Sequence, residues 1–124
     1  MKNLAINFIR CGVIYGLIGM VLGIVMAASG NHDQGPTHAH VNLLGWVSMA
    51  VFGLVYRAFP ALADGMLPKL HFWIMNLGVV GMVAGLFLMF SDHMEFVALT
   101  SVSSLILVVG MLLFGLIVYR GRTD

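Results

Sequence analysis

Four stretches of this chain contain no Asp, Glu, Lys or Arg: residues 11–32, 34–56, 70–91 and 96–119. A bilayer core about 30 Å thick takes roughly 20 helical residues to cross, so each stretch can make one passage. Lipid offers the backbone no hydrogen-bond partner, and a helix satisfies its own N–H and C=O groups. The composition agrees, at 60% hydrophobic and 9% charged residues with a mean hydropathy of +1.01. A soluble domain of 124 residues cannot cover so much apolar surface with so few charges. The chain reads as an all-α integral membrane protein, one four-helix domain over residues 1–124, with spans at about 8–29, 36–59, 68–91 and 94–119.

The six basic residues orient it. Lys2 and Arg10 precede the first span, Arg57 and Lys69 flank the middle loop, and Arg120 and Arg122 follow the last span. The first and third loops hold only acidic charges, Asp33, Asp92 and Glu95. The positive-inside rule then places both termini and the middle loop in the cytoplasm. The first apolar stretch is longer than a signal-peptide core, so a retained anchor is expected. The single cysteine, Cys11, cannot pair within one chain and suits a small buried apolar role.

Short turns separate the spans and force an up-down-up-down order. Pro36 and Pro68 fit the first turns of the second and third helices, and Pro60 falls where the second ends. Asp92 and Glu95 have the spacing of a capping box for the fourth. Gly12, Gly16, Gly19 and Gly23 in the first span, and Gly81 with Gly85 in the third, are small-xxx-small pairs that permit close helix approach. They suit packing within the chain or docking of another one.

Five histidines remain to be explained. His32, His38, His40 and His93 belong to the outer face; His71 starts the third span on the cytoplasmic side. If that helix is continuous, His71 and His93 are about 33 Å apart and cannot share a site. Residues two apart on a helix diverge by roughly 200°, so His38 and His40 address different neighbours if Pro36 has already begun the helix. In an extended segment they would face the same way and could chelate one ion. His32 reads as a solvated loop residue. His71, beside Phe72 and Trp73, reads as part of an interfacial aromatic belt. His93 fits either the turn with Asp92 and Glu95 or an outer site. Ionisable groups at the mouth of a membrane helix are costly, which makes the 38/40 pair the functional candidate. The ten methionines read as packing.

His40, Asn42, Leu43, Leu44, Trp46, Gly53, Tyr56 and Pro60 follow the order and approximate spacing of the second helix of the nitric oxide reductase catalytic subunit. The second span thus resembles the heme-copper oxidase superfamily, including its C-type cytochrome c oxidases. In that family the residue matching His40 is an axial ligand of a low-spin heme near the outer face. The pair His38 and His40 also resembles the family's tenth helix, where two histidines two apart serve different hemes. The family subunit has twelve helices in three quasi-equivalent arcs of four, so this chain resembles one arc, and a homotrimer would restore the whole.

The resemblance implies a bacterial cytoplasmic (inner) membrane and a heme b held between His40 of one copy and His38 of the next. Gly45 would admit the macrocycle, Trp46 and Phe52 would wall it, Asn42 belongs to the matched motif, and Asn31, His32, Ser91 and His93 would stand near the propionates. It covers about 24 residues, and the family's copper-ligating histidines have no counterpart. A cytochrome b for electron transfer or redox or gas sensing is expected, with no autonomous oxidase or reductase activity. Its partners would be membrane lipid, further copies of the chain and a respiratory-chain redox protein.

Two other classes compete. His32, Asp33, His38, His40, Asp92, His93 and Glu95 could form a heme-free zinc or copper site for metal binding or transport. Alternatively, the glycine faces could dock a non-catalytic subunit onto a respiratory complex. No nucleophile–base pair, phosphate loop or buried carboxylate pair suggests an enzyme, and a net charge of +1 gives no basis for nucleic-acid binding.

Overall fold

The computed structural model describes residues 3–123, which leaves Lys2 outside the described residues. Four helices are long and apolar enough to cross a membrane: α1 (Leu4–Ser29), α2 (Gly35–Ala58), α3 (Leu67–Met89) and α4 (Val97–Arg120). A 3-10 turn, Met94–Phe96, leads directly into α4. Helix α1 begins ahead of the expected residue 8 because Leu4 and Phe8, one turn apart, both belong to the buried core.

Most helix ends follow the sequence. Gly30 closes α1 with a left-handed φ of 71°, and its N–H bonds to the Met26 carbonyl at 3.0 Å. Pro36 and Pro68 occupy the first turns of α2 and α3. Beyond Ala58 the chain turns through Phe59 into the 3-10 segment Pro60–Ala63. The capping box does not form. Asp92 adopts a left-handed φ of 68°, and His93 becomes the N-cap of the 3-10 turn. Glu95 is then one position too early to answer the cap, and it pairs with His93 instead.

The helices form two antiparallel hairpins, α1 with α2 and α3 with α4, joined where α3 meets α1 and α2. Helices α1 and α4 share no comparable interface, so the unit is an open row rather than a closed bundle. Burial tells the same story: 22% of the apolar window of α1 and of α4 lies inside the chain, against 33% for α2 and 39% for α3. The two outer helices are edges.

Glycines set the close approaches within each hairpin. A Cβ on Gly12 or Gly16 would press on Trp46, one on Gly19 on Asn42, and one on Gly23 on His38. On the other hairpin, Gly81 faces Ser103 and Gly85 faces Thr100. The glycine faces are filled inside the chain, so they are not free surfaces for docking a larger complex. Packing, rather than water expulsion, is what such contacts supply in lipid.

Helix α2 is not uniform. Residues Val41–Val47 form a π-helical segment between α-helical ends. Ser48 Oγ donates to the Leu43 carbonyl at 2.8 Å, serving a group in the widened turn. A four-residue step overshoots an α-helical turn by about 40°, and the wider i→i+5 turn absorbs that excess. His38, Asn42 and Trp46 consequently stay aligned along α1. Nothing in the residue types of this stretch signals the π turn.

Candidate cofactor site at the outer end of α2

Helical geometry holds through His38 and His40, so the two side chains diverge and do not chelate one ion. His38 lies against Gly23 of α1, where an added Cβ would meet its Cε1 at 2.9 Å. Its Nδ1 is 2.8 Å from the carbonyl oxygen of Gly19. His40 bonds within its own helix, Nδ1 to the Pro36 carbonyl at 2.7 Å. A carbonyl oxygen only accepts, so Nδ1 carries the proton in both rings. In the neutral ring each Nε2 then keeps a lone pair, which is how metal-ligating imidazoles are typically held. Both residues are half-buried, and neither Nε2 is a sealed, partnerless atom.

Asn42 supports this arrangement. Its Nδ2 donates to the His38 carbonyl at 2.8 Å while its side chain fills the space above Gly19. With Nδ1 of His38 already donating, the 3.3 Å approach of Asn42 to that atom is a contact only.

Other expected site residues have different employment. Gly45 is closed by Tyr15, whose Cβ would be 2.6 Å from an added methyl, so it admits α1 rather than a macrocycle from this side. Trp46 packs on Gly12 and Gly16. Phe52 lies at the opposite end of the molecule, in the aromatic core. Cys11 is half-buried against that core.

The outer loops do not assemble a metal site within one chain. Among the described residues no three His, Cys, Asp or Glu side chains converge on a point that could hold an ion. His93 is exposed and its Nδ1 is 3.2 Å from Glu95 Oε1. His32 Nδ1 turns back to the Gly30 carbonyl at 3.2 Å, as suits a solvated loop residue. The first loop is tied to α3 by Gln34, whose Nε2 donates to Phe87 O and Ser91 Oγ.

His71 overturns expectation. It is fully buried, not interfacial; Trp73 alone faces outward, at 63% exposure. Its Nδ1 is 2.8 Å from Tyr56 Oη, and its Nε2 has no partner. The ring is stacked on Phe114 at 5.1 Å and edge-to-face with Phe52 at 4.6 Å, with Phe8 5.1 Å away. A signal existed: His71, Met75, Gly78, Met82 and Gly85 recur at helical spacing, and all five are buried.

No protein-family model, curated protein or solved structure matches the chain.

Proposed function

We propose that this chain is the protomer of a membrane cytochrome b in which His40 of one copy and His38 of the next hold a heme b between them, three copies closing the ring. One observation carries the reading. Two imidazoles leave a single helix in opposite directions, each with Nδ1–H tied to a backbone carbonyl and Nε2 left to bind.

The donor set fits the group. Neutral imidazole is a common axial ligand of heme iron, and two of them fill both axial positions, so the bound heme would supply electron transfer rather than substrate activation. The chain's own residues prepare the ligands. Gly19 and Gly23 seat His38, Asn42 braces its backbone, and Pro36 both starts the helix and accepts from His40. Two clefts formed by the described residues are at the other end of the helices, beside Arg57, Lys69 and Arg120. A macrocycle at His38 or His40 needs walls from a neighbouring copy. An open row with two little-buried edge helices offers such neighbours, and favours one arc of a larger ring over a self-contained bundle.

The test is an absorption spectrum of detergent-purified protein from heme-replete cells. Dithionite reduction should give a Soret band and split low-spin α and β bands, with one heme per chain and three chains per particle. His40→Ala and His38→Ala should each abolish the low-spin spectrum. A colourless preparation holding stoichiometric zinc or copper would replace this reading with a metal-binding one. A colourless preparation that copurifies with larger subunits would assign the chain to a respiratory complex.

A further inference from the structure

At the end of the molecule opposite the histidine pair, a cleft of about 740 Å³ opens between the start of α1 and the connection from α2 to α3. Arg57, in the last turn of α2, and Lys69, in the first turns of α3, both line it. Among the described residues that line it, Asp64 is the only acidic one, and Asn3 adds a neutral amide. The described lining residues thus carry one net positive charge. None of these three charged side chains makes an ion pair among the described residues, where the single bridge is His93 to Glu95. The other wall is apolar: Ile6 is exposed on α1, and the half-buried Ile9 packs beside Gly53 of α2.

We infer that this cleft binds the phosphodiester headgroup of an anionic phospholipid, with an acyl chain running along the exposed Ile6. Two cations and one carboxylate leave a charge that a monoanionic phosphodiester neutralises, which a zwitterionic headgroup does not. Basic residues at the ends of membrane helices sit at headgroup depth, and each contributes attraction to anionic lipid. Arg57 offers a planar fork of donors to phosphate oxygens, and Lys69 a compact charge. The half-polar, half-apolar lining matches a lipid at the membrane boundary, where a free anion would use only the polar half. The site is independent of whether heme is bound at the other end.

Native mass spectrometry of the full chain in detergent tests this with phosphatidylglycerol and phosphatidylcholine of identical acyl chains. Phosphatidylglycerol should be retained about tenfold more tightly. The double variant Arg57→Gln/Lys69→Gln should erase that preference, and Arg57→Lys should keep most of it. Removing two charges elsewhere, Arg10→Gln/Arg122→Gln, should leave it in place, and unchanged circular dichroism guards against misfolding. Equal retention of the two lipids overturns the proposal. So does an equal loss in the control double variant, which would indicate a diffuse positive surface. Inorganic phosphate displacing phosphatidylglycerol at comparable concentration would show a free-oxyanion site instead of a lipid site.

Discussion

His38 and Gly19 are joined across the α1–α2 interface by a 2.8 Å hydrogen bond from the imidazole Nδ1 to a main-chain carbonyl. That carbonyl is reachable because α1 presents glycine at 19 and 23 along the line of approach. The bond sets the tautomer, the ring orientation and the exposed nitrogen of His38 together.

On the proposed heme-binding reading, filling this seat with a larger side chain should disturb ligation before it disturbs the fold. Gly23→Ala places a methyl 2.9 Å from His38 Cε1, and a larger Gly23→Val must push the ring aside. Heme content per chain should fall about tenfold, as when a group orienting a ligand is lost, while far-ultraviolet dichroism is unchanged. Full heme retention in Gly23→Val would show that His38 does not depend on this seat.

The helix contacts can be tested by stability. Gly45→Ala drives a methyl into Tyr15, with 2.6 Å to its Cβ, and should cost about 1–3 kcal/mol as overpacking. Gly115→Ala meets nothing within 4 Å and should be neutral or stabilising by up to about 1 kcal/mol, since glycine is a poor helix former. Thermal unfolding of the two variants in one detergent should rank them in that order.

The Tyr56–His71 pair calls for a double-mutant cycle. Tyr56→Phe leaves the buried Nδ1 of His71 without its 2.8 Å partner and should cost about 1–3 kcal/mol. His71→Phe strands the tyrosine hydroxyl in the same way. Replacing both should cost less than the sum of the two, because no polar atom is then left unanswered. Strict additivity in unfolding free energy would mean the two groups do not interact.

Tyr15 Oη donates to Asn76 Oδ1 at 2.8 Å, deeper in the membrane and tying α1 to α3. Interhelical hydrogen bonds in bilayers are worth about 0.6 kcal/mol on average. Tyr15→Phe should therefore lower stability only slightly, and less than Tyr56→Phe. A larger loss for Tyr15→Phe would reverse the expected ranking of the two tyrosines.

How far the chain could be read without coordinates differs from residue to residue. The four spans were legible because charge-free runs of membrane length leave a backbone few alternatives to the helix. The divergence of His38 from His40 was legible too, since it needs only a helical segment and a spacing of two residues. Asp92 and Glu95 misled: one left-handed residue moved the cap to His93, and spacing alone carries no φ angle. His71 was misplaced because its neighbours Phe72 and Trp73 suit an interface, although the next turns of α3 place it inward.

From the sequence alone came the membrane fold, the order of the spans and the choice of His38 and His40. Each depends on the local supply of charge, apolar length and helical rotation. The tertiary structure decided which glycines receive which side chains, the π turn that keeps His38, Asn42 and Trp46 in line, and the open row that leaves α1 and α4 as edges. Those depend on contacts between helices far apart in sequence. In a chain apolar on nearly every face, no stripe of polarity marks beforehand which side will meet which.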